Sequence, residues 1–389
     1  MADSPAKSGA TVRLEKKLDG ARALRGLILT HRERTDEARQ LAQPVVEAMA
    51  SLGLFRSLVP ASAGGEEWDW PIWMQVVEEL STVDGAVGWI AGVGGSVNAI
   101  VSGWVSAEVG RTVCSQDPIG LIAGAGAPMG SARPVDGGYI VSGRWQFGSG
   151  SPHACWFKPG YALEGETPRL GPMMLLPAKD VETIDTWSVG GMRGTGSHDF
   201  AVRDLFVPTA YTLNAVDNPP LHPGPLYRLP LIFTLCSSLG PLALGIARGA
   251  IDCFVELIAA KVDRLTGTGL RDRLTVQERV AKAEAAVRSS RAFLYEMVDE
   301  VWGTVEKGAP LTEQQIALFR LANMHAVAAS AQAVDLVYHA AGTSAIFTAN
   351  LLERFFRDVH VATQHRCASP EELYQVGRVL LGLPLGSLI

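Results

Sequence analysis

The sequence predicts an α+β fold that is mostly α, in three parts: an N-terminal helical domain, a middle antiparallel β domain and a C-terminal four-helix bundle. Three observations carry this. Apolar residues recur at helical spacing until about residue 115. Short β-type runs separated by Gly, Pro, Asp and Asn occupy Ile119 to Pro208, and long apolar helical periods return after a Pro-rich linker, Asn218-Pro-Pro-Leu-His-Pro-Gly-Pro225. The expected domains are therefore residues 1–118, 119–218 and 219–389.

The first helical window runs from Leu24 to Leu54, with Leu41, Val45, Val46, Met49 and Leu52 on one face and Gly53 as a stop. A Pro/Gly loop, Leu58 to Gly65, separates it from a second amphipathic helix over Trp70 to Thr82. The third, Gly85 to Trp104, is crowded with small residues (Gly88, Ala91, Gly92, Gly94, Gly95), so either another helix or a flat ligand can approach its backbone closely. The β region contains Gly138–Gly143, Met173–Pro177 and Phe200–Pro208 as strand-like runs. Beyond the linker, helices are expected over Leu235–Val262, Thr275–Glu306 and Thr312–Gly342, and from Ala349 onward. Bundle faces this apolar often self-associate, so a homo-oligomer, dimer or tetramer, is expected.

Composition narrows the function. A chain of 389 residues with 47% hydrophobic and 19% charged residues is globular and can bury a large core. Net charge of −6, a pI near 5.8 and no Lys/Arg cluster speak against nucleic acid or an anionic membrane as partner, leaving small molecules. The first ten residues show no apolar leader, and no run is read as reaching the roughly 18 apolar residues of a membrane span, so a cytoplasmic location is expected. The five cysteines, widely spaced and without a Cys-x-x-Cys pair, read as ordinary thiols, with neither a disulfide framework nor a zinc site. There is no Gly-x-Gly-x-x-Gly after a strand and no P-loop.

Three segments, in order, then bring a family into view: Gly53 to Gly65; Gly143-Arg-Trp-Gln-Phe-Gly-Ser-Gly150; and Gly190-Gly-Met-Arg-Gly-Thr-Gly-Ser-His-Asp-Phe200 with the strand after it. Together with the helix–β–helix order, they resemble the acyl-CoA dehydrogenases and their relatives over nearly the whole chain beyond the first 20 residues or so. The resemblance implies a flavin. A flat, amphipathic isoalloxazine needs an aromatic wall and a few hydroxyl or backbone donors. Trp145 and Phe147 alternate along the second segment and would share one face, with Ser149 continuing it. Ser149 or Ser151 is placed to reach N5, and Thr195 and Ser197 to bond the ring edge. Core packing is the competing reading of the two aromatics, and turn chemistry that of the serines.

The reaction turns on a departure from that family. Where acyl-CoA dehydrogenases carry a glutamate base ahead of the last helix's Arg-Asp pair, here Arg357-Asp358, this chain has a residue close to Ala349 and no carboxylate before Glu353. A Glu-Gly-Thr-like turn is replaced by Gln364-His-Arg-Cys367. Arg-Asp-x-His followed by a second histidine resembles instead the oxygenase component of two-component flavin monooxygenases. That branch implies reduced FAD or FMN from a separate NAD(P)H-dependent reductase, O2 as co-substrate reacting through a C4a-hydroperoxide, and an aromatic, phenolic or indolic substrate. His365 then matches the base that deprotonates a phenol, which a neutral imidazole can do at working pH. From spacing alone, His360 and His365 read sooner as capped or surface histidines than as a base. His153 is a second candidate near the flavin, or a strand-end histidine; His339 to Phe347 is a candidate subunit contact, and Arg271 and Arg273 could reach a flavin phosphate. The competing readings are an acyl-CoA dehydrogenase with a displaced base, a sister enzyme oxygenating nitrogen or sulfur, and a flavin-carrying partner without activity.

Overall fold

The computed structural model describes residues 5–115, 119–259, 261–262 and 267–386, with side chains from Thr11 onward. The expected boundary at 118/119 falls at the edge of residues 116–118, outside the described ones. The N-terminal part consists of α1 (Pro5–Ala23), α2 (Arg25–Ala38), α3 (Gln43–Ser51), α4 (Trp70–Ser81), α5 (Gly85–Trp104) and α6 (Ala107–Val113). The single helical window expected over Leu24–Leu54 is in fact two helices. Arg39, at φ 55°, turns the chain left-handed, and the next residues leave the helix for a bridge between Gln40 and Thr195. Tertiary pairing overrides propensity there. By contrast α5 begins where its sequence says: Asp84 Oδ1 accepts the backbone N–H groups of Ala86 and Val87 at 2.9 and 3.1 Å, capping the first turn.

The middle part is one sheet of β1 (Ile122–Val135), β2 (Gly138–Gly148), β3 (Trp156–Leu163), β4 (Pro172–Met174), β5 (Leu176–Pro177), β6 (Glu182–Ile184), β7 (His198–Pro208) and β8 (Thr212–Asn214). Its order is β6-β7-β2-β1-β3-β4-β8, with β5 beside β3. The expectation of a purely antiparallel domain is corrected: β1 and β3 run parallel, because after β2 the chain crosses to the far edge of β1 instead of folding back on β2. One face of this sheet closes over Trp145, Phe157 and Phe200.

The C-terminal part consists of α7 (Leu231–Cys236), α8 (Leu239–Ile258), α9 (Leu274–Glu306), α10 (Glu313–Ala341), α11 (Leu351–Ala362) and α12 (Pro370–Leu380). Helices α8, α9, α10 and α11 share one apolar core with the N-terminal helices. Gly85–Trp104 and Leu231–Ile258 are long and apolar enough to cross a membrane, contrary to the sequence reading; their most apolar windows are 89% and 78% buried within the molecule, where that apolarity packs against neighbouring helices. Cys236 and Cys367, read as ordinary thiols, are joined as a disulfide, their Cα atoms 6.0 Å apart, because the turn after α11 folds against the end of α7. Cys114, Cys155 and Cys253 are free.

Candidate active site

The site is built where β2 ends. Between the pairs Trp145–Phe200 and Gly148–His198 the register shifts, so two residues of β2 face one of β7. That bulge breaks the alternation on which the shared aromatic face rested. Trp145 is fully buried, stacked on Phe200 at 5.3 Å, with its indole N–H donated to the Gly160 carbonyl at 2.7 Å. It lies so close over Gly130 and Gly143 that a Cβ at either would strike its ring. Trp145 is thus core and no wall for a ligand. Phe147, left-handed at φ 63°, instead turns outward, 65% exposed, its ring edge-on to Trp187. A non-glycine residue held in that conformation and presenting an aromatic ring to solvent is a signature of a functional position.

After the bulge the chain enters Gly150, left-handed at φ 80°, whose N–H bonds the Thr195 carbonyl at 2.8 Å. Ser151 donates its hydroxyl to the Gly196 carbonyl at 2.9 Å. These two bonds lock the 149–151 turn to the 190–197 loop, and the second commits the proton of the Ser151 hydroxyl, the one the sequence offers to N5, to Gly196. Three buried hydroxyls then stand in a row: Ser149 and Ser197 at 2.8 Å, and Ser197 and Thr195 at 2.7 Å. At the near end, the indole N–H of Trp89 on α5 donates to Ser149 Oγ at 3.0 Å.

The same indole meets His365. The two rings lie edge to face with centroids 5.3 Å apart, so α5 brings the C-terminal histidine and the serine row to one place. His365 is half-buried, and burial lowers its pKa below the ordinary 6.5, favouring the neutral ring. Its Nδ1 accepts the Cys367 backbone N–H at 3.2 Å, so the neutral ring in this arrangement carries its proton on Nε2. His360 is elsewhere, paired with Asp335 at 2.9 Å on the outer side of α11. His153 bonds the Leu41 carbonyl through Nε2 at 2.9 Å and pins the break between α2 and α3 to the site.

A buried ionic cluster holds the 190–197 loop. Asp358 on α11 accepts the Met192 N–H at 2.6 Å, and Arg354 bonds Asp84 at 2.8 Å. All three charged residues are buried, and burial raises the Asp358 carboxyl to about 6 despite Arg354. The strand entering the loop is fixed as well: Arg39 forms two 2.7 Å bonds to Asp185, and His198 Nδ1 accepts the N–H groups of Thr186 and Trp187.

A flavin ring fits these residues by the chemistry of the donor set. Phe147 and Trp187 offer the apolar wall, and Ser149, backed by Ser197 and Thr195, offers the hydroxyl edge. Sequence reasoning missed two members. Trp89 is the one tryptophan among the small residues of Gly85–Ala99, where close approach was read but no ring assigned; Trp187 stands three residues ahead of the Gly190 motif.

The chain belongs to the acyl-CoA dehydrogenase family: the family's N-terminal domain profile matches residues 21–112 and its C-terminal domain profile residues 237–370. Within it, the chain is a flavin-dependent monooxygenase, an oxygenase component of the two-component kind. It is 31% identical over 350 residues to an indole-3-acetate monooxygenase of Acinetobacter baumannii, covering 90% of this chain and 89% of the relative. It is 28% identical to the flavin-dependent monooxygenase oxygenase subunit HsaA of Mycobacterium tuberculosis, over 90% and 92% of the two chains. The crystal structure of 3-HSA hydroxylase from Rhodococcus sp. RHA1 superposes with a TM-score of 0.87 at 26% identity, over 96% and 98% of the chains.

Proposed function

We propose that this chain hydroxylates a small aromatic compound, phenolic or indolic, using reduced FAD or FMN delivered by a separate NAD(P)H-dependent reductase, and that it works in the cytoplasm as a homo-oligomer, dimer or tetramer. The observation that carries the reading is the meeting of His365, Trp89 and the Ser149–Ser197–Thr195 row at one place. Support for the substrate class comes from relatives named for indole-3-acetate and, in Rhizobium, for resorcinol. Ile346 and Phe347, 60% and 64% exposed beside the turn after α10, support a subunit contact there.

Bound there, reduced flavin supplies the two electrons by which one atom of O2 enters the substrate and the other leaves as water. The protein's share is placement and protection. Ser149, together with the apolar Phe147–Trp187 wall, keeps water and stray protons from the N5 edge, which limits loss of oxygen as H2O2. Ser151 reinforces this indirectly by closing the turn onto Gly196.

His365 handles the substrate's polar group. To take a phenol's proton at Nε2, the ring must first move its own proton to Nδ1 and release the Cys367 N–H. An indole, already nucleophilic at its C2=C3 bond, needs no base; the Nε2 N–H is then available to donate to an acceptor carried by the substrate's side chain, such as a carboxylate, and the tautomer present favours that second substrate type. His365→Gln, which keeps a donor and removes the base, separates them. Phenol hydroxylation falling roughly a hundredfold or more with indole oxidation retained assigns a base role; loss of neither removes His365 from the site.

A further inference from the structure

We propose that Trp89 is a positioning residue that sets how Ser149 meets the flavin: its indole N–H occupies one acceptor site of Ser149, leaving a single position whose sense, donor or acceptor, is chosen by the direction of the Ser149–Ser197–Thr195 row. The inference rests on the flavin reading above and concerns only this chain's hydroxyls.

The proton count makes the argument. Three hydroxyls carry three protons but have only two links between them, so one proton is left over, and when both links run the same way it lies at an end of the row. When Thr195 donates to Ser197 and Ser197 to Ser149, Ser149 accepts twice, from Ser197 and from Trp89, and must point its own proton outward. In the opposite direction Ser149 donates to Ser197, Ser197 to Thr195, and Ser149 turns a free lone pair outward. An indole can only donate, so the Trp89 link at 3.0 Å holds in both directions and never competes for the outward position.

Those two senses match the two redox states of a flavin. Oxidised N5 has a lone pair and needs a donor; reduced N5 carries a hydrogen and needs an acceptor. Because all three hydroxyls are buried, water does not readily substitute for a missing partner, and reversal of the row lets one serine serve both states. The indole N–H also polarises the Ser149 hydroxyl, strengthening it chiefly as a donor.

The test is binding, not turnover. Dissociation constants for oxidised and for chemically reduced FMN and FAD are measured anaerobically by fluorescence. Trp89→Phe keeps an aromatic side chain and removes the N–H together with the pyrrole part of the indole, so the readout is a ratio in which packing lost equally by both redox states cancels. The ratio of the oxidised-flavin to the reduced-flavin constant is expected to rise roughly two- to tenfold, the size of one neutral hydrogen bond, because donation by Ser149 is weakened more than acceptance. Thr195→Val, a second and independent handle, leaves Ser197 only Ser149 to donate to, and the ratio is expected to fall. In a Ser149→Ala background neither change should move it. Equal weakening of both redox states by Trp89→Phe, or a ratio change that persists without Ser149, overturns the proposal. If Ser149→Ala itself leaves both affinities untouched, the flavin reading at Ser149 fails first, which is a separate result.

Discussion

His365 owes its chemistry to burial. With its pKa held below 6.5, the acid limb of kcat/KM for a phenolic substrate is expected below pH 6.5 and is expected to vanish in His365→Ala. The same shift has a stability consequence. The unfolded imidazole takes a proton more readily than the folded one, so the stability tied to this neutral ring is present above about 6.5 and is lost as the pH falls through the folded pKa. The difference in denaturant midpoint between wild type and His365→Gln should be independent of pH above that window and shift against wild type below it. Ser149→Ala is expected to raise the fraction of O2 recovered as H2O2 while leaving the His365 acid limb in place; an unchanged H2O2 fraction would remove Ser149 from the shield. Each of these two residues stands out in the sequence because it sits in a motif. Their meeting does not, since the residue that joins them, Trp89, lies 60 positions from Ser149 and in no motif at all.

At the scale of elements, legibility depended on who satisfies the backbone. Helix α5 came out as read because its cap and small residues are local signals. The window from Leu24 to Leu54 broke at Arg39 because Gln40 pairs with Thr195, a partner remote in sequence. Strand β2 misled for the same reason: strict alternation puts Trp145 and Phe147 together, and a bulge imposed by β7 separates them. Paired substitutions test this. Trp145→Ala, emptying a core position, is expected to cost about 3–5 kcal/mol of stability with a collapsed β domain. Phe147→Ala, at an exposed ring, is expected to change stability by no more than about 0.5 kcal/mol while weakening flavin binding. Thermal unfolding and flavin titration of the two variants give both answers, and a loss of affinity without a loss of stability in Trp145→Ala would reverse the assignment.

Across the whole molecule, the Arg354–Asp84–Asp358 cluster ties α5 and α11 to the Met192 N–H of the loop carrying Thr195 and Ser197. Asp358→Ala leaves that N–H without its partner and Arg354 with one carboxylate, so a loss of about 3–5 kcal/mol is expected, with flavin affinity falling alongside. The pH sign is opposite to that of His365: a carboxyl raised from 3.8 to about 6 holds its proton more tightly when folded, so its contribution falls as pH rises through that window. The three-part order of the chain could be read from periodicity, whereas this cluster could not, because Asp84 and Asp358 are 274 positions apart (358 − 84) and neither spacing nor composition joins them. What the cluster serves is the reduced-flavin oxygenase reading. The most direct measurement mixes the protein with chemically reduced FAD or FMN, isotopically labelled O2 and a panel of phenols and indoles, with mass spectrometry of the aromatic products. The account predicts one labelled oxygen atom in the product of at least one aromatic substrate, with no reductase needed once reduced flavin is supplied. Recovery of all the labelled oxygen as H2O2 across the whole panel, together with bleaching of bound flavin by an acyl-CoA, would contradict it.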